Sequence, residues 1–230
     1  MHPKYTHKLD TRAKVVPDRK AWMVEIARGQ AVAHFGCCGS TPPKENRGAG
    51  GNLHERLSQV AANLRGLDNN DEWIAELVSM GHDVVYADFE DPNHPEIIGA
   101  CRTCEVLMLP EVLEHLSNPG ILLDTIRGTS YRGRLVVSVP NAFSLYARLS
   151  LGLAHEELVH EDHVAWYSPT TLTTLLARHG FVVRELLYYQ WPKQSDTIFS
   201  PTGIESGWPF FADGILAVAT CDGLLHAEAL

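Results

Sequence analysis

The sequence predicts an α/β fold: a doubly wound, mostly parallel seven-stranded sheet with one antiparallel strand near its edge and helices on both faces. Three observations predict it. Short apolar runs alternate with segments of helical periodicity from residue 31 onward. The cleanest run, residues 134–139, has five apolar or small residues after Arg134 and is closed by Pro140 and Asn141, as suits a strand buried on both faces. Two more strand-like runs, residues 181–189 and 215–220, have no helix-patterned segment between them, which predicts the antiparallel pairing.

Taken in order, residues 31–35 read as a strand ending in a tight turn at Gly36, and residues 40–52, rich in Pro, Gly, Lys and Asn, read as a long loop. A helix over 53–63 carries Leu53, Leu57, Val60 and Ala61 on one face. The next strand, 63–67, stops at Asp68, and residues 69–71 offer caps for a helix with Trp73, Ile74, Leu77 and Val78 at helical spacing. Gly81 ends that helix. Residues 83–87 form a third strand, after which Pro92 and Pro95 leave a loop with at most a short helix. Residues 105–109 are a fourth strand, and 111–127 read mostly as helix, interrupted at Pro119 and Gly120. Ser168 and Pro169 start a last helix, an N-cap followed by proline at the first position, with Leu172, Leu175 and Leu176 buried and Gly180 as the stop.

A chain of 230 residues supports one core, so a single domain over 1–230 is expected. Its hydrophobic share of 45% and charged share of 20% are those of a folding chain. The net charge of −9 disfavours nucleic acid as a partner. The absence of a long apolar run predicts no membrane span and no secretory leader, hence a cytoplasmic protein. Five cysteines, two of them vicinal at Cys37 and Cys38, do not suggest a disulfide framework. A zinc site from Cys37, Cys38, Cys101 and Cys104 is disfavoured, because a vicinal pair suits one tetrahedral ion poorly, and no metal is expected.

Two blocks carry a resemblance. The segment EVLMLPEVLEHLSNPGILLDTI with GRLVVSVPN, within residues 105–141, and DHVAWYSPTTLTTLLARHGF, residues 162–181, stand in the order found in the S-adenosylmethionine-dependent methyltransferases of the seven-strand, Rossmann-like class. The chain resembles that family over residues 31–220. The resemblance implies a cofactor-binding half at 30–141, preceded by a segment at 1–29, and a substrate-side half at 142–230 with an insertion at 190–211. It implies S-adenosylmethionine as cofactor, held by His34, Gly36, Cys37, Cys38, Asp68, Asn69, Asp88, Phe89, Leu109 and Glu111. Within that set Asp68 would accept the ribose hydroxyls, and Asp88 would meet the adenine amino group with Phe89 beside the ring. An Asp before a helix is also an N-cap, and a loop Asp is also a solvated group. The glycine turn departs from the family pattern: His34 stands where an acidic residue is usual, and Cys38 where a second glycine is.

Because the sulfonium already makes the methyl electrophilic, the chain has to align an acceptor and take its proton. His163, in the segment expected to cover the transfer site, is the first candidate base, and His115 the second. Each could equally order its own loop. The acceptor expected is a small, partly apolar molecule such as a natural-product intermediate or sugar, because Trp191, Trp208, Phe210 and Phe211 crowd the insertion; the same aromatics also suit a homodimer contact.

Two rival readings use the same residues. A metal-dependent small-RNA 2′-O-methyltransferase would use Glu111, Glu114, His115 and the Asp162–His163 pair, against which stands the acidity of the chain. A non-catalytic methyltransferase-like binding protein would account for the altered glycine turn. A nicotinamide dehydrogenase would need a glycine turn opening directly into a helix, and residues 36–52 lack one.

Overall fold

The computed structural model describes residues 7–9, 13–43, 52–191 and 208–221. Most of the long loop expected at 40–52, and residues 192–207 of the insertion, lie outside the described residues. The strands are β1 (Val15–Val16), β2 (Ala31–Phe35), β3 (Asn63–Asp68), β4 (Val84–Tyr86), β5 (Val106–Pro110), β6 (Arg134–Pro140), β7 (Phe181–Tyr189) and β8 (Gly214–Cys221). They form one sheet in the order β1-β7-β8-β6-β5-β2-β3-β4. Every neighbouring pair is parallel except those of β8, which runs antiparallel to both β6 and β7. The mixed, mostly parallel sheet of the sequence reading is therefore present. The eighth strand is the two-residue β1, too short to leave a periodicity signal and added beside Tyr188 and Tyr189.

The helices are α1 (Arg19–Ala27), α2 (Leu53–Ser58), α3 (Asp71–Ser79), α4 (Pro95–Thr103), α5 (Pro119–Gly128), α6 (Leu145–Leu149) and α7 (Pro169–Arg178). Strand residues alternate between two cores. Leu135, Val137 and Val139 of β6 pack with Ile97 of α4, Leu122 and Ile126 of α5 and Leu172 of α7, whereas Val136 packs with Met23 of α1 and Leu57 of α2. A third cluster joins Ile74 and Leu77 of α3 to Cys37, Cys38 and Val84. Both faces of the sheet are covered, which is why its central strands are apolar on both sides.

Several local expectations shift. The helix over 53–63 closes at Ser58, and Val60 and Ala61 form a turn that delivers the chain to β3. Pro92 and Pro95 do not leave a loop: Pro95 opens the nine-residue α4, because a first-turn proline lacks only an N–H that would have no helical partner. The helix expected over 111–127 is a 3-10 turn at Leu113–His115 followed by α5, and Glu111 itself has φ +55°, which no right-handed helix contains. The helix α1 falls in the N-terminal segment 1–29, to which the sequence reading gives no element. Its legible signal is Asp18, whose side chain accepts from the Ala21 N–H at 2.9 Å as an N-cap. Ser168 caps α7 as expected, in a capping box with Thr171.

Candidate active site

The sheet order reverses between β2 and β5, since β2 leads on to β3 at one side and the chain later returns to pair β5 at the other. Ligands in such sheets bind beyond the carboxyl ends of the strands at that point. There the chain leaves β2 through Gly36, whose φ of +69° is one that residues with a Cβ rarely adopt. A Cβ at Gly36 would also stand 3.0 Å from Val112 Cγ2. The Gly36 N–H donates to Leu67 O at 2.9 Å, and the Cys38 N–H to Asp68 Oδ2 at 2.8 Å. The other oxygen of Asp68 accepts from the Asn69 and Asn70 N–H groups at 2.9 and 3.1 Å. Asp68, 7% exposed, thus binds one turn to the next and caps nothing through its side chain alone, for the N-cap of α3 is Asn70. Among the described residues, three of its roughly four lone-pair sites are filled, which leaves one for an outside donor.

Asn52 completes the turn. It caps α2 through the His54 N–H at 3.1 Å and donates its own amide to the Cys37 carbonyl at 3.3 Å. Donor atoms of Cys37, Cys38 and Asp68 lie within 4.8 Å of one another. A hydrogen bond with Cys38, then burial, pushes the Cys37 thiol up, so Cys37 is a packed, protonated side chain. Cys101, in the core with α4, does not join the group.

His34 is sealed. It is buried against His54, with the two Nδ1 atoms 3.2 Å apart and the rings stacked at 5.4 Å, and burial drives its pKa well below the ordinary histidine value. No sequence signal marks His54 as its partner. Asn69 and Asp88 are exposed at the ends of β3 and β4, and Asp88 accepts from the Glu90 N–H at 2.9 Å. Phe89 is buried beside Phe35, rings 5.4 Å apart. The Leu109 side chain lies wholly in the core, so only its backbone can meet a ligand.

Glu111 follows β5 and has partners the sequence did not suggest. Its carboxylate pairs with Arg19 of α1 at 2.6 Å and accepts from Ser138 Oγ at 2.9 Å and from the Tyr189 hydroxyl at 2.6 Å. Arg19 also lies over the Tyr189 and Trp191 rings, at 4.9 and 5.2 Å. Burial opposes its charge, but Tyr189 and Glu111 outweigh that and hold the guanidinium protonated. Glu114 differs. It is fully buried, neither carboxyl oxygen has a partner among the described residues, and burial with the nearby Glu111 pushes its pKa up to about 9.

Beyond β5 and β6 the structure brings three imidazoles together. The His115 and His163 rings meet edge to face at 4.5 Å, and His160 lies 5.8 Å from the first and 5.6 Å from the second. The segment carrying the last two is held by the Val164 N–H on Glu114 O at 2.8 Å and by the Tyr167 hydroxyl on Leu113 O at 3.3 Å. Burial, then the neighbouring rings, lowers the pKa of His163; burial and His160 lower that of His115. Both are therefore neutral near pH 7. Two separate aromatic groups stand at the same edge of the sheet: Tyr189 with Trp191 at the end of β7, and Trp208, Phe210 and Phe211 before β8. Asn141, fully buried at the end of β6, fixes the second group by donating to the Phe210 and Ala212 carbonyls at 2.8 and 2.7 Å.

A profile described as a methyltransferase domain matches residues 19–186. No curated relative matches the chain in sequence. Among solved structures, it is similar to an S-adenosylmethionine-dependent methyltransferase from Archaeoglobus fulgidus, with a TM-score of 0.56 and 17% identity over 87% of this chain and 92% of that one. It is similar to the CMeT domain of the citrinin polyketide synthase, TM-score 0.52 and 14% identity over 85% of this chain and 47% of that one. It is also similar to a small RNA methyltransferase, TM-score 0.57 and 13% identity over 89% of this chain and 25% of that one. At these identities the likeness is one of fold.

Proposed function

The chain belongs to the methyltransferase-domain family, and on that premise we propose that it moves a methyl group from S-adenosylmethionine to an oxygen or nitrogen of a small, partly apolar molecule. The observation that carries this reading is the imidazole cluster of His115, His160 and His163 at the carboxyl rim, where the Trp191 and Phe210–Phe211 aromatics also stand. A charge of −9 offers little grip on a phosphate backbone, and Arg19, a cation at the rim, is neutralised by Glu111.

The cofactor supplies an electrophilic methyl group when bound. The residues that fit it are the Gly36 turn with Cys37 and Cys38, the free lone pair of Asp68 for a ribose hydroxyl, and Asn69, Asp88 and Phe89 beside it. Leu109 and Glu111 contribute backbone only, and His34 supports the turn from below. The rim aromatics Trp191, Trp208, Phe210 and Phe211 hold and orient the acceptor and exclude water from it. His163 takes the acceptor's proton on a ring nitrogen, with His115 as its neighbour and second candidate. We place the protein in the cytoplasm.

A turnover screen with isotopically labelled cofactor against small metabolites and against RNA tests the reading. Label is expected in a hydroxylated or amino small molecule. Transfer to RNA alone would sink it.

A further inference from the structure

We propose that His115, His160 and His163 form a binding site for one imidazole-preferring transition-metal dication, of the zinc, cobalt or nickel kind, with a fourth position open toward the acceptor. The inference rests on reading this rim as the transfer site. One ligand atom from each ring lies within 4.8 Å of the other two. In a tetrahedral site with metal–nitrogen bonds near 2.0 Å the nitrogens stand about 3.3 Å apart, so the rings have to close by at most about 1.5 Å. They can. His160 and His163 sit in a segment with neither helix nor strand, and His160 is exposed enough to turn.

The surroundings support an ion over a packing role. His160 Nδ1 accepts from the Asp162 N–H at 3.3 Å, and Asp162 Oδ2 lies 3.7 Å from the same nitrogen, so the carboxylate can take over as its partner when the ring turns Nε2 to the ion and Nδ1 carries the proton. Three neutral donors and no carboxylate in the set select against magnesium and calcium, which prefer oxygen. The set also differs from the one weighed from sequence, for Glu111 is bound to Arg19, Ser138 and Tyr189 and stands outside it. The sequence reading expected no metal, because the chain is acidic and EVLEHL reads as an ordinary strand-to-helix passage. In the ion-bound form His163 is a ligand, and its role as proton acceptor belongs to the ion-free form.

The test is a cobalt titration of the full-length, chelator-stripped protein, followed by its visible ligand-field absorption, with calorimetric titration of S-adenosylmethionine on the same sample. One equivalent of cobalt is expected to give a tetrahedral spectrum that zinc abolishes and excess magnesium does not. His160→Ala should weaken cobalt binding at least tenfold while cofactor affinity stays within a few-fold, and His82→Ala should leave the spectrum intact. A spectrum unchanged in His160→Ala, or displaced by magnesium, overturns the site. Cofactor binding without any cobalt binding overturns the metal site alone. Cobalt binding in a protein that does not bind the cofactor overturns the methyl-transfer reading and leaves the site standing.

Discussion

The Cys38 N–H donates to Asp68 Oδ2 at 2.8 Å, so the residue expected to hold the cofactor ribose also holds the turn that approaches the cofactor. Asp68→Ala should therefore do two things. It should lower cofactor affinity at least tenfold, about 1.4 kcal/mol, and it should destabilise the fold by about 1–3 kcal/mol because buried N–H groups lose their acceptor. Calorimetry and thermal melting read the two effects separately. Unchanged affinity in a destabilised protein would confine Asp68 to a structural role.

His163 works as a base only when neutral, and its pKa is lowered by burial, then by His115 and His160. The rate should rise with pH through a midpoint below the unperturbed value of about 6.5 and level off by neutrality. His163→Ala should cost about 10²-fold in turnover and leave cofactor affinity within a few-fold. Removing His160 takes away a like charge and should move the midpoint up. A profile flat from about pH 5 to 8 would take the proton transfer away from imidazole.

Glu114 keeps its proton in the fold at pH values where an unfolded glutamate, with a pKa of about 4.3, has lost it. A folded pKa that is raised means full stability below about 4.3 and a loss that grows as pH rises toward about 9. Glu114→Gln removes that loss. Its melting temperature should match the wild type near pH 4 and exceed it near pH 8, by an amount equivalent to about 2 kcal/mol or more. Parallel melting curves across that range would show that Glu114 ionises within the fold.

The Arg19–Glu111 pair, with side chains 12% and 17% exposed, joins α1 to the end of β5. Arg19→Met leaves the Glu111 carboxylate buried without its counter-ion and should cost about 3–5 kcal/mol, or roughly 10 °C in melting temperature for a domain of this size. Adding Glu111→Gln should recover much of that loss, since the double variant buries no charge. If the double variant melts no higher than the single one, the pair is not coupled as the 2.6 Å contact implies.

Local signals carried the backbone plan because they act within short windows. The boundaries of β2 and β7 fall where the apolar runs end, and the Ser168–Pro169 start of α7 is a matter of capping geometry two residues long. The same windows misjudged Pro95, which breaks a helix from inside but opens one from its first turn, and they passed over Asp18 as a cap. They also put Gly36, Asp68 and Asp88 at successive strand ends, which was enough to locate the rim.

By itself, then, the sequence determined the alternation of strands and helices from residue 31 onward, the mostly parallel sheet and the family. The tertiary structure decided what each rim side chain does. Glu111 meets Arg19, His34 closes on His54, and His160 joins His115 and His163, although nothing in the spacing of these residues marks them as partners. The physical reason is that periodicity and capping are properties of neighbours in the chain. A partner such as Tyr189, 170 positions from Arg19, is set only when the order and register of eight strands bring the end of β7 over the start of α1.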